Sequence, residues 1–118
     1  EKRIAAALES HELRALEMLL IDPKVSAKLD LSAARTYCAS RKHAGLPGWR
    51  LPEVAEASSL ARARLAPDGH YWTETLADAA STNRLVYESK RRRMKAHATS
   101  WKGGRALCVR DRHLSELP

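Results

Sequence analysis

Apolar positions near the start of the chain, Ile4, Ala7, Leu8, Ala15, Leu16, Leu19 and Leu20, follow helical spacing at first and then close up into the run Met18 to Ile21. That change of period predicts a helix running into a strand. A second helix is predicted after Asp30 or Ser32, either of which can cap it. Ala33, Ala34, Tyr37, Cys38 and Arg41 follow at helical spacing, Cys38 lies on the apolar face, and Gly45 supplies a stop. The turn-rich words Leu46-Pro47-Gly48-Trp49-Arg50-Leu51-Pro52 come next, with Pro52 suited to the first position of a third helix because its missing N–H has no partner there. Val54, Ala57, Leu60, Ala61 and Leu65 form the apolar stripe of that helix, and Pro67-Asp68-Gly69 ends it.

From His70 onward the pattern changes to short strands: His70 to Leu76, Arg84 to Glu88, a piece around Met94 to Thr99, and Arg105 to Arg110, with Ala77 to Asn83 as a connector. Helices first and a small antiparallel sheet afterwards predict an α+β domain rather than a βαβ repeat. The 118 residues suffice for one sizeable core, so one domain is expected. Met18 to Ile21 is cut off by Asp22-Pro23 and no run approaches the roughly 18 apolar residues of a membrane helix, so membrane insertion is not expected. The chain opens at Glu1 without an initiator Met or a basic-then-apolar leader and is expected to be a piece of a longer protein.

Twenty-one Lys and Arg against 14 Asp and Glu give a net charge of +7, which favours acidic partners without naming one. Nucleic acid, an anionic membrane surface, acidic or sulfated glycans and acidic proteins all respond to such a field, and all bind more weakly as salt rises. Nucleic acid is disfavoured, because no helix-turn-helix, zinc-finger or aromatic-striped sheet signal accompanies the charge. The two cysteines, Cys38 and Cys108, fit neither a CxxC motif nor a four-ligand zinc site, which leaves a long-range disulfide or two free thiols. His11, His43, His70, His97 and His113 show no ligand spacing, and Ser58-Ser59 lacks the context of a nucleophile, so neither metal, cofactor nor catalytic residues are expected.

The strongest local signal is the run Lys90-Arg91-Arg92-Arg93, continued by Lys95 and His97, at the tip of a predicted hairpin. Arginine there can hold sulfate, phosphate or carboxylate groups through paired donors, although charge runs are more often only solvated. Trp101, followed by Lys102-Gly103-Gly104 in a predicted turn, is the tryptophan expected to be exposed and to touch a ligand. Lys90, Arg91, Arg92, Arg93, Lys95, Trp101 and Lys102 are therefore the candidate contact residues.

The words Tyr37-Cys38, Gly48-Trp49-Arg50-Leu51-Pro52, Tyr71-Trp72-Thr73-Glu74-Thr75 and Arg105-Ala106-Leu107-Cys108-Val109-Arg110 occur in an order that resembles the bacterial Lcl C-terminal domain family, within the C-type-lectin-like superfamily. The likeness covers about residues 13 to 111. It implies two helices flanking a small twisted antiparallel sheet with the N- and C-terminal strands side by side, a domain over residues 13–118, and a connecting helix or stalk over residues 1–12. It further implies a Cys38–Cys108 disulfide, and hence an oxidising, extracytoplasmic setting (periplasm, cell surface or secreted); with free thiols the chain would be cytoplasmic. Trp49 and Trp72 then fall at framework positions, and Arg50 and Arg110 in ion pairs or backbone hydrogen bonds. The sequence departs from the family at Glu17 to Asp22, where a tryptophan-containing strand word is usual, and at Glu53, where a Ser or Thr cap is common.

Formylglycine-generating oxidases share the wider fold, but their chemistry needs a reactive cysteine pair, whereas the likeness places both thiols here in a structural clasp. The Glu-Pro-Asn, Gln-Pro-Asp and Trp-Asn-Asp words of calcium-dependent lectins are absent as well. The expectation is a non-enzymatic recognition or adhesion module for a protein or an acidic, sulfated glycan, with homo-oligomerisation left open. The rival is a structural or regulatory domain that contacts its own chain or a sister subunit.

Overall fold

The computed structural model describes residues 2–80 and 82–112; Glu1, Ser81 and residues 113–118, which include His113 and the outer ends of both expected segments, lie outside the described residues. The described residues form three α-helices and two small sheets, an α+β arrangement. Helix α1 (Lys2–Glu9) places Ile4 and Ala7 one turn apart in the core. It stops where the Ser10 hydroxyl donates to the Ala7 carbonyl and His11 turns into the left-handed region. Ala15 and Leu16 therefore lie beyond the helix, in β1 (Arg14–Leu16), which pairs with β2 (Leu19–Ile21) across the Glu17-Met18 turn.

Helix α2 (Leu31–Ala39) is capped by Asp30, whose carboxylate accepts the Ala33 N–H at 2.9 Å, and buries Leu31, Ala34 and Cys38 along one face. It ends at Ala39, short of the predicted Gly45. The Ser40 hydroxyl donates to the Thr36 carbonyl, and Arg41 leaves the helix path to pair with Asp22, whose side chain is fully buried. His43 to Gly45 form a separate 3-10 turn.

Helix α3 (Val54–Arg62) begins two residues later than predicted. Pro52 precedes the cap rather than opening the helix, because Glu53 holds the cap position with its own N–H donated to Glu56, while the Val54 N–H is taken by Thr75. Ala57 and Leu60 are the buried part of its stripe; Leu65 follows the helix, which Arg64 closes in the left-handed conformation.

The three-stranded sheet has the order β1-β2-β8, so β2 lies antiparallel to the last described strand, β8 (Val109–Asp111). The five-stranded sheet has the order β3 (Lys28–Leu29), β7 (Gly104–Arg105), β4 (His70–Leu76), β5 (Arg84–Glu88), β6 (Arg93–His97), antiparallel except for one parallel pairing of β4 with β7. β4 and β5 match their predicted limits, and β6 begins one residue before Met94. The predicted final strand, Arg105 to Arg110, is instead divided between the two sheets. Ala106, Leu107 and Cys108 between them are all buried, and the Ser26 backbone and hydroxyl take up the polar groups of Ala106.

Two apolar clusters explain that break. Leu20, Trp72, Val86, Ala106 and Cys108 face one cluster with Ile4, Ala34 and Trp49, whereas Leu19, Ile21, Tyr71, Leu107 and Val109 face the other with Leu60. Alternate residues of the strands thus point to opposite cores, with α1 and α2 on one side and α3 on the other, so these segments read as continuous apolar runs rather than alternating ones. Gly104 is required here by space: a Cβ at that position would stand 2.7 Å from the Trp72 ring.

Cys38 and Cys108 form the disulfide, with Cα atoms 5.4 Å apart across 70 residues of sequence. Beside it the Asp22 N–H donates to the Cys108 carbonyl while the Asp22 carboxylate pairs with Arg41, three residues beyond Cys38. Arg50 adds a second tie: it exchanges both backbone hydrogen bonds with Val109, and its guanidinium reaches Glu56 on α3 at 2.8 Å and Asp111 on β8 at 2.9 Å. Arg110 donates to the Pro47 carbonyl. No helix among the described residues is long and apolar enough to cross a membrane.

Replacing both cysteines with Ala is expected to lower unfolding free energy by about 4 kcal/mol, the cost of releasing a loop of this size, as read by urea denaturation. Arg41→Ala is expected to cost about 3 kcal/mol in the same assay, because it leaves the buried Asp22 carboxylate with only the Lys24 N–H and the His43 ring nitrogen. The double substitution Asp22→Ala with Arg41→Ala should cost less than the two single losses added together.

Candidate functional site

The candidate contact residues fall on the β5–β6 hairpin and on the segment that follows it. β5 and β6 pair without a bulge from Arg84↔His97 to Glu88↔Arg93, and Ser89 to Arg92 make the turn. Strand alternation then sets the faces. Arg93, Lys95 and His97 share one face with Glu88, Val86 and Arg84 and, across β4, with His70 and Trp72; Met94 and Ala96 point the opposite way. Residues Arg93 to Ala96 are all exposed, so the outer strand of the hairpin stands clear of both cores.

The turn distributes its cations unequally. The Glu88 carboxylate accepts from the Arg93 guanidinium at 2.8 Å, with the Arg91 guanidinium at 3.4 Å and the His70 ring nitrogen at 3.6 Å. The Arg93 hydrogen bond, with support from the neighbouring charges, holds the Glu88 carboxyl below the ordinary glutamate range. Arg91 and Arg93 are thereby committed to Glu88. Lys90 and Arg92 have no carboxylate within salt-bridge distance among the described residues. They line a groove of about 460 Å³ together with Arg64, which lies just past α3. Ala61, Ala66, Pro67 and Ser89 complete its walls, and Asp68 is its single carboxylate. The Ser89 hydroxyl is turned to the backbone of Gly69 and accepts its N–H at 2.9 Å.

Arg64 and Arg92 both adopt positive φ, at 55° and 51°. Non-glycine residues there cost on the order of 1 kcal/mol each and are held by their surroundings. Both strained positions carry guanidinium groups, and both line the same groove.

Trp101 lies against the sheet face and is half-buried rather than exposed. Its ring stacks on His97 at 3.7 Å and an interplanar angle of 13°, with Trp72 and His70 edge-on at 5.9 and 6.0 Å. The Lys102-Gly103-Gly104 turn lets this happen, since a Cβ on Gly103 would overlap the Trp101 ring. The stack consumes one face of the indole, so Trp101 acts first as a cover over Trp72. Lys95 shares the face of this aromatic group and Lys102 is exposed next to it. Burial, reinforced by Lys95 and His70, holds His97 below the ordinary histidine value.

The structure therefore sorts the candidates into three: Lys90 and Arg92 on the groove, Arg91 and Arg93 on Glu88, and Lys95 and Lys102 around the Trp101 stack. Sequence reasoning missed Arg64, Glu88 and His70, and named His97 only as a continuation of the basic run. The hairpin register could have exposed Glu88, which pairs with Arg93; nothing in the sequence joins Arg64 to a turn 26 positions away. Trp49 and Trp72 are buried, with indole N–H groups donated to the carbonyls of Leu46 and Leu29. Among the described residues no group of three or more His, Cys, Asp or Glu side chains is placed to hold a metal ion. No model of a known protein family and no curated protein matches the chain.

The pH response of this face has a definite sign. Because His97 is held low in the folded chain, the unfolded chain takes up that proton first. The associated stability is complete above about 6.5, the ordinary histidine value, and is lost as pH falls through the lower value of the folded state. Glu88 is also held low, so a further loss follows below the ordinary glutamate value of 4.5. NMR titration should place the His97 midpoint below the ordinary histidine value of 6.5, and Trp101→Ala should move it upward by removing the ring that desolvates it.

Proposed function

We propose that this chain is a non-enzymatic recognition module of the C-type-lectin-like kind, similar to the Lcl C-terminal domain, which binds an acidic, sulfated glycan through its basic hairpin. One observation carries the reading: Arg64, Lys90 and Arg92, from two separate parts of the chain, line one groove, and among the described residues none of the three makes a salt bridge. Three cations around a single carboxylate leave a local excess of positive charge, and guanidinium groups match the geometry of a sulfate through two parallel donors. The net charge of +7 supplies long-range attraction for a polyanion. The placement of β2 beside β8, the helices on either side of the strands and the disulfide between α2 and the C-terminal segment support the lectin-like kinship. The disulfide also supports an oxidising, extracytoplasmic setting.

A second reading, contact with the parent chain or a sister subunit, draws on a different surface. Met18 is 41% exposed at the β1–β2 turn and lines an open depression with Leu16, Leu19, Ala55 and Ala63 against α3. Such a patch suits a protein neighbour, and the basic groove suits a charged ligand.

Retention on immobilised heparin decides between charge and site. The triple variant Arg64→Gly, Lys90→Ser, Arg92→Gly keeps the left-handed backbone comfortable while removing the groove's cations. It is expected to elute at clearly lower salt than the charge-matched variant Arg14→Ser, Lys24→Ser, Lys28→Ser, whose changes include β3 at the opposite edge of the five-stranded sheet. Equal shifts for the two variants, or retention on duplex DNA as strong as on heparin, would leave only nonspecific attraction and refute the glycan reading.

A further inference from the structure

The outer edge of β6 is the feature that the glycan reading leaves unused. β6 ends the five-stranded sheet, and no described strand pairs with its outer side. The direction of its free backbone groups follows from β5. The Ser89 N–H donates to the Gly69 carbonyl, so the N–H groups of Ser89, Tyr87 and Leu85 point toward β4 and those of Glu88, Val86 and Arg84 point toward β6. Through the unbroken register, Arg93, Lys95 and His97 turn their backbone to β5. Met94 and Ala96 are left with N–H and C=O facing outward.

Exposed edges of this kind are commonly blunted by a bulge, a proline, a covering element or charged side chains. Among the described residues β6 has only the last: its pairing is regular, it contains no proline, Arg93 to Ala96 are exposed, and Arg93 and Lys95 supply the charge. Its side chains are sorted as well. Arg93, Lys95 and His97 line one face, and Met94, 52% exposed, lines the other with Ala96. A second copy of β6 is a poor occupant, because antiparallel pairing of identical edges brings Lys95 close to its own counterpart, like charges that destabilise a cross-strand pair.

We propose that β6 is a docking edge for an extended acidic peptide, which adds as a sixth strand with carboxylates alternating with apolar side chains. The backbone groups of Met94 and Ala96 supply the ladder. Lys95, with Arg93 and His97 on either side, faces the carboxylates, and Met94 and Ala96 face the apolar positions. The charge that keeps two copies apart thereby selects the partner. This surface is separate from the groove of Arg64, Lys90 and Arg92 and stands whether or not a glycan binds there.

Fluorescence anisotropy with a labelled peptide alternating Glu and Val tests the proposal against three controls: the scrambled composition, the Lys-for-Glu version, and the Ala96→Pro protein. Proline is tolerated on an edge strand where its missing N–H faces solvent, and this variant keeps every cation. Binding of the alternating peptide should exceed that of the scrambled one, vanish for the Lys version and weaken about tenfold in Ala96→Pro, while heparin retention stays unchanged. In the wild-type protein the Met94 and Ala96 amides should exchange more slowly with the peptide bound. Circular dichroism of Ala96→Pro checks folding, and Met94→Pro repeats the test if the first variant is unfolded. Equal binding of scrambled and alternating peptides, unchanged amide exchange, or affinity of the folded proline variant within about twofold of wild type would overturn the proposal.

Discussion

The fold depends on the attachment of α2 to the segment that carries Cys108. That segment crosses between the two sheets with Ala106, Leu107 and Cys108 all buried, so it has almost no regular ladder of its own. It is held from outside: by the disulfide to Cys38, by Ser26 on Ala106, and by the Asp22 N–H on the Cys108 carbonyl. Asp22 is in turn held by Arg41, at the end of the helix that bears Cys38. Covalent and ionic ties therefore close one circuit through α2, β2 and the C-terminal segment. A buried charge is tolerable only inside such a circuit, where its partner and hydrogen bonds replace the water it has lost.

With this middle layer anchored, the two cores can be filled from both sides, and the β5–β6 hairpin is free to extend beyond them. The contrast is chemical as well as geometric. Near the disulfide every cation with a strong role has a carboxylate: Arg41 has Asp22, and Arg50 has Glu56 and Asp111. At the hairpin, Glu88 alone serves Arg91 and Arg93, and Lys90 and Arg92 are left to the groove with Arg64. Arg64 and Arg92 at the groove hold left-handed backbone, as do His11, Glu17 and Ala44 elsewhere in the fold.

Much of this architecture was legible in the chain. The Asp30 cap, the helical spacing of Ala34 and Cys38, and the strands His70 to Leu76 and Arg84 to Glu88 could be read because local periodicity and capping chemistry decide them. Helix ends were less legible. α2 stops at Ala39 because a buried carboxylate 19 residues earlier draws Arg41 away, and α3 takes Glu53 rather than Pro52 as its boundary because Glu56 and Thr75 satisfy its first N–H groups. Asp22 and Thr75 are tertiary partners that no local pattern announces, whereas the Glu53–Glu56 pair is a local capping box.

The sequence by itself determined the α+β order, the apolar faces and the concentration of positive charge in one hairpin, since each depends on residues close together along the chain, and it left the two cysteines as either a long-range disulfide or free thiols. Only the tertiary structure decided the division of the last strand between two sheets, the half-burial of Trp101 behind His97, and the sorting of the basic run into paired and unpaired cations. These outcomes depend on which distant group arrives beside each residue: Ser26 at Ala106, His97 at Trp101, Arg64 at Lys90 and Arg92. A charge is visible in sequence, but its partner is chosen in space.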